Sequence, residues 1–133
     1  MTRERRFAAA IPVAPISNWV SQQLTSHGPE GCEHYVRDRL DNLGGAYFTR
    51  SPVLHARGAT TPTLTVCGAL DLSTPPGQAV ELHQALRQQG VRSVLVTYPL
   101  EGHGVRTWPA SFDFGARVVE WFDAHLRAGA ERS

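Results

Sequence analysis

"TLTVCGA" at residues 63–69, "PPGQAVELHQALRQQG" at 75–90 and "SVLVTYP" at 93–99 decide the fold of this chain. The first and third are short apolar runs without clean alternation, bounded by Pro or Gly, a pattern that suits strands covered on both faces of a parallel sheet. In the run between them, Ala79, Leu82 and Leu86 recur at helical spacing. Pro75 or Pro76 suits a first helical turn and Gly90 suits its stop. The three runs predict a strand-helix-strand unit.

Working outward, "FAAAIPVAP" at 7–15 reads as a further buried strand. "SFDFGARVVEWFDAHLRAG" at 111–129 predicts a closing helix, with Ser111 as N-cap, Val118, Val119, Phe122 and Leu126 on one face, and Gly129 just past its end. The segment 16–62 is harder to assign: "YVRDRLDNL" is a candidate helix, whereas "LGGAYFTRSPVLHARGATTP" is full of breakers. The expected fold class is α/β, with about three parallel strands, flanking helices and no internal repeat. Right-handed crossovers lay the strands side by side.

The 133 residues have room for one domain and one modest core. Thirteen Lys and Arg against twelve Asp and Glu leave a formal charge of +1. The basic residues are scattered apart from "RERR" at 3–6, which is no footprint for nucleic acid or a membrane surface. No apolar run approaches the roughly 20 residues of a membrane span, and no leader peptide is visible, so a cytoplasmic address is expected. Cys32 and Cys67 are too few for a disulfide framework, and Cys67 reads as a small buried thiol. No HExxH or paired ligand spacing among the histidines suggests a metal, and nothing calls for a cofactor.

Ligands of parallel sheets bind beyond the carboxyl ends of the strands. Asp71 lies four residues beyond Cys67, and His103 lies five beyond Tyr98 in "EGHG". Neighbouring strands sit roughly 4.8 Å apart, so loops of that length can bring the carboxylate against the imidazole. Such a pair fixes the ring's tautomer and leaves the second nitrogen to take a proton from a nucleophile. The plainer alternatives are a water-exposed loop histidine and an aspartate bonding its own turn in "GALDLSTPP". Glu101 reads as solvated. His27, His34, His55, His83 and His125 read as surface or structural residues, and Trp108, Phe112, Trp121 and Phe122 as packing around the closing helix.

Taken together, "TPTLTVCGALDLSTPPGQAVELHQAL", "SVLVTYPLEGHGV", "VVEWFDAHL", "RFAAAIPVAPISNW" and "GGAYFTRSPVLHA" resemble the C-terminal part of the catalytic domain of prolyl-oligopeptidase-family serine peptidases, in the acylaminoacyl-peptidase and dipeptidyl-aminopeptidase branch. The resemblance covers nearly the whole chain. It implies a partial α/β-hydrolase fold, with residues 1–133 as a single partial domain. It assigns Asp71, in the Gly-x-x-Asp turn "GALD", as the triad acid and His103 as the triad base. It leaves Trp19 as either a core anchor or a wall of the substrate pocket.

No Gly-x-Ser-x-Gly elbow is present in these residues. Ser17 is the nearest substitute, but Pro15 and Trp19 stand where that turn needs glycine. The expectation is a serine-type peptidase segment, inactive alone, that would act on a peptide or acyl-peptide only when completed by an upstream half. The competing expectation is a non-catalytic remnant or interaction module that binds a partner through its open strand edge. In either case a bare edge at 7–15 predicts self-association.

Overall fold

The computed structural model describes residues 1–130, with side chains to Leu126. Four short elements come first: α1 (Trp19–Thr25), α2 (Pro29–Val36), α3 (Ala46–Thr49) and a 3-10 turn (Pro52–His55). The unit β1 (Thr63–Gly68), α4 (Gly77–Gln88) and β2 (Ser93–Tyr98) follows, and α5 (Ala110–Ala130) closes the chain. This is a partial α/β fold: β1 and β2 pair in parallel, with Thr63 opposite Ser93 and Gly68 opposite Tyr98, and helices flank them.

The central unit forms as its sequence implies. Gln78, Ala79, Leu82 and Leu86 are the buried residues of α4. The helix ends in a Schellman closure, with Gly90 N–H donating to Arg87 O at 2.9 Å and Val91 N–H to Leu86 O at 3.1 Å. All six residues of β1 are buried, because β1 lies between β2 and the segment at 10–14. Leu64 and Val66 pack with Tyr98 and Trp121 on one face. Leu82 and Leu86 form a second cluster with Ala59 and Val91. β2 is an edge strand and only partly covered, leaving Val94 exposed. Burial raises the pKa of the Cys67 thiol, which suits an inert core residue.

The expected strand at 7–15 is present in reduced form, as two isolated parallel bridges, Ala10 to Thr63 and Val13 to Val66. Ala10 N–H donates to Pro62 O and Ala14 N–H to Val66 O, while Leu64 and Val66 donate back to Ala10 O and Pro12 O. Pro12 has no N–H for the intervening rung, so the ladder is interrupted at its middle.

Other expectations need correction. "YVRDRLDNL" is helical only to Val36, because Arg37 adopts a left-handed conformation (φ 56°) that ends α2. Ser111 is not an N-cap: its N–H donates to Thr107 O, and α5 begins one residue earlier and runs through Gly129. On α5 it is Ala110, Phe114 and Trp121 that meet the core, while Phe112, Val119 and Leu126 face outward. Trp108 is also exposed. No helix among the described residues is long and apolar enough to cross a membrane.

Candidate active site

The loops after β1 and β2 are knitted together at the carboxyl end of the sheet. Ala69 N–H donates to Tyr98 O and Leu70 N–H to Glu101 O, each at 2.9 Å. Gly68 makes this approach possible: a Cβ there would lie 2.2 Å from Gly102 O and 2.3 Å from Glu101 O, both backbone atoms. Only a residue without a side chain lets the second loop settle onto the first. Glu101, expected to be solvated, is instead buried. Its carboxylate accepts hydrogen bonds from Arg106 N–H at 3.0 Å, Thr107 N–H at 3.2 Å and the Thr107 hydroxyl. The Thr107 hydroxyl and then the Arg106 amide hold its pKa below the usual carboxylate value. Glu101 therefore staples the loop that carries His103. Gly104 supplies the positive φ of 108° that turns the chain beyond the histidine.

His103 Nδ1 lies 2.9 Å from Asp71 Oδ2. A carboxylate oxygen can only accept, so Nδ1 carries the proton and the neutral ring's Nε2 presents a lone pair. The Asp71 side chain is fully buried, whereas that of His103 is 55% exposed. Asp71 Oδ1 accepts from Ser73 N–H at 2.9 Å and Thr74 N–H at 2.8 Å. The aspartate thus bonds its own turn and the histidine at once, so the two readings of this residue are compatible. An oriented imidazole with one free nitrogen at a solvent-accessible surface can relay a proton.

Ser17 does not join this pair. It is fully buried, and its hydroxyl donates to Gln78 O at 2.6 Å. Among the described residues no hydroxyl hydrogen-bonds to His103. Trp19 lines a cavity of about 550 Å³ that His103 also borders. His27 and Gln22 border the same cavity. His27, read from the sequence as a surface or structural residue, is exposed, and its Nδ1 and N–H both pair with Leu72 O. Gln22 is buried by tertiary packing that its polar type does not announce. Among the described residues no group of three or more His, Cys, Asp or Glu side chains is arranged to hold a metal ion.

The model of the prolyl oligopeptidase family matches residues 1–129. The chain belongs to that family. Acylamino-acid-releasing enzyme 1 of Oryza sativa subsp. japonica is a relative 27% identical over 131 residues, covering 90% of this chain and 17% of its own length. An uncharacterized peptidase of Bacillus subtilis is 30% identical over 133 residues, covering 91% of this chain and 19% of its own. The family member thus spans about a fifth of the length of these relatives. Among solved structures, a Mycobacterium tuberculosis puromycin-hydrolyzing peptidase superposes with a TM-score of 0.84 at 25% identity, over 94% of this chain and 19% of its own. A Pyrococcus horikoshii acylaminoacyl peptidase gives 0.84 at 21%, over 95% of this chain and 21% of its own. These likenesses identify the fold as the α/β-hydrolase type found in peptidases of this family.

Proposed function

We propose that this chain carries the acid and base of a serine-type peptidase acting on peptides or acyl-peptides. Asp71 orients the ring, and His103 is general base in acylation and general acid toward the leaving amine. The observation that carries the reading is the 2.9 Å contact between His103 Nδ1 and a fully buried Asp71 carboxylate beside an open cavity. The nucleophilic serine is contributed by residues outside this chain, and the 133 residues alone are inactive. Its docking place is the outer side of the 10–14 segment. The inner side of that segment is spent on β1 through Ala10, Pro12 and Ala14, and strand alternation turns the amides of Ile11 and Val13 outward. Two free, buried cysteines fit a reducing compartment such as the cytoplasm.

The test is labelling by a serine-directed fluorophosphonate. The bare chain is expected to show none, and the chain fused behind a nucleophile-elbow segment is expected to label and to hydrolyse acyl-peptides. In that fusion His103→Ala should abolish both, and Asp71→Asn should lower turnover by about 10⁴-fold through the wrong tautomer. Full activity of the fusion without His103 would overturn the assignment.

A further inference from the structure

The apolar surface of α5 is wider than the sheet covers. The helix meets the core through Ala110, Phe114 and Trp121. Its flank toward β2 is polar or small: Arg117, Glu120 and Ala124 line a cavity of about 230 Å³ with Arg92 and Val94 at that edge. At 3.6 residues per turn, Phe122 and Leu126 fall on the opposite flank, with Phe112 and Val119 along its outer rim. Phe112, Val119 and Leu126 are exposed, and Phe122 is only half-buried. The β2 side of this helix layer is finished for contact with water, and the other side is not.

That other side overhangs the 10–14 segment. Ile11 packs into the cluster under α5, and Val13, bridged to Val66, shares the same face of the sheet and is 40% exposed. Apolar surface therefore continues from the helix flank onto the sheet, toward the edge where the nucleophile-bearing strand of the proposed function docks.

The winding of the chain narrows what can cover this surface. His83 of α4 bonds Ser93, whereas the next residue, Val94, lines the cavity beside α5. Successive strand residues point to opposite faces, so α4 and α5 lie on opposite sides of the sheet. The nucleophile-bearing strand, the 10–14 segment, β1 and β2 would follow one another in a single direction, and right-handed crossovers put the helices that link them on the α4 face. A further helix on the α5 face must come from residues before the nucleophile-bearing strand, where the winding runs the other way. This chain covers 17% and 19% of the two relatives above, which leaves ample length for such a helix.

We propose that Phe122 and Leu126 of α5, with Ile11 and Val13 below them, seat an amphipathic helix from the part of the protein that precedes the nucleophile-bearing strand. Packed helices lie roughly 8–10 Å apart, so it would run beside α5 in the same layer. The proposal rests on that strand docking at the outer side of the 10–14 segment.

The test is maleimide labelling of Leu126→Cys and Glu120→Cys, read by mass spectrometry of the peptide that carries the introduced thiol. Both positions are exposed, and the native Cys32 and Cys67 are buried. Three forms are compared: the 133-residue chain, the chain fused behind a nucleophile-elbow segment, and a chimera in which it replaces the matched residues of the Bacillus subtilis relative. In the chimera, Leu126→Cys is expected to react at least about 10-fold more slowly than in the bare chain, and Glu120→Cys at an unchanged rate. The elbow fusion is expected to leave both reactive. Leu126→Asp should lower the urea midpoint of the chimera and leave that of the bare chain unchanged. Equal rates at the two thiols of the chimera, or an unchanged midpoint there, would overturn the proposal. So would protection already complete in the elbow fusion, or protection in the bare chain that grows with its concentration, which would make the occupant a second copy. Failure of the catalytic reading shows elsewhere, as fluorophosphonate labelling of the chimera that persists in His103→Ala. That result leaves the thiol rates unchanged, and a reactive Leu126→Cys leaves His103-dependent labelling unchanged.

Discussion

The unit at 63–98 and the segment at 16–62 are held by different forces. In the first, Leu64, Val66, Leu82 and Leu86 are buried among other apolar groups. In the second, side chains pin backbone: Gln78 Oε1 accepts from Ser17 N–H at 3.0 Å and Asn18 N–H at 2.9 Å, and Ser51 Oγ accepts from Trp19 N–H at 2.9 Å. Burial of apolar surface is non-directional and leaves a periodic trace in the sequence. A pin depends on one donor meeting one acceptor across dozens of residues and leaves no such trace. The rigid half presents Asp71 and His103, while the pinned half walls the cavity beside them.

The sharpest way to break this contrast is Leu86→Ala, which opens a cavity at a fully buried site and should cost about 3–5 kcal/mol by urea denaturation. Leu24→Ala on exposed α1 should stay within about 0.5 kcal/mol. Near-equal losses would mean that the two regions share one core.

Gly68→Ala comes next. Its Cβ meets backbone carbonyls at 2.2 and 2.3 Å, and overpacking of that kind costs about 1–3 kcal/mol. Because the two loops must part, the downfield Nδ1 proton of His103 should also disappear from the NMR spectrum. If it stays, the glycine is not what brings the pair together.

Gln78→Ala tests the pins. It orphans two amides near a buried serine and should cost about 1–3 kcal/mol, with increased hydrogen exchange in 16–25 and little change in β1. Uniform acceleration across both regions would erase the distinction drawn above.

The smallest effect is a pH dependence at His83, in α4. Burial, and after it the Arg87 charge, lower its pKa below the usual 6.5, so the folded state disfavours the protonated ring. Its contribution is fully present above the unfolded value and is lost as pH falls through 6.5 toward the lower folded value. The thermal midpoint should therefore drop between about pH 7 and 5 by a margin that His83→Gln removes. A midpoint that rises on acidification would contradict the sign.

The same contrast governs what could be read in advance. β1, α4 and β2 were legible because period and punctuation are local, and Asp71 and His103 were legible because both follow strand ends. The thinning of the 7–15 strand needed the parity of Pro12 relative to β1. Had the proline fallen at 11 or 13, its missing N–H would have faced away from β1 and spared the ladder. Glu101 was misread because its burial follows from the close approach at Gly68, a contact between loops about 33 residues apart in the chain. Gln22 belongs to the pinned region, where nothing in the local pattern marks which polar groups turn inward.

Pro12 also bears on the order in which the molecule comes apart. With its central rung missing, the 10–14 segment is fastened to β1 at two separated points, and releasing one leaves a single attachment rather than a shortened ladder. Such a strip should detach as a unit, at a free energy well below that for parting β1 from β2. The amides of Ala10 and Ala14 should then exchange together and faster than those of the strand they bond to. The proposed nucleophile-bearing strand would be laid on the opposite, outer side of this same strip, so the part of the sheet that yields first is also the part on which assembly would finish.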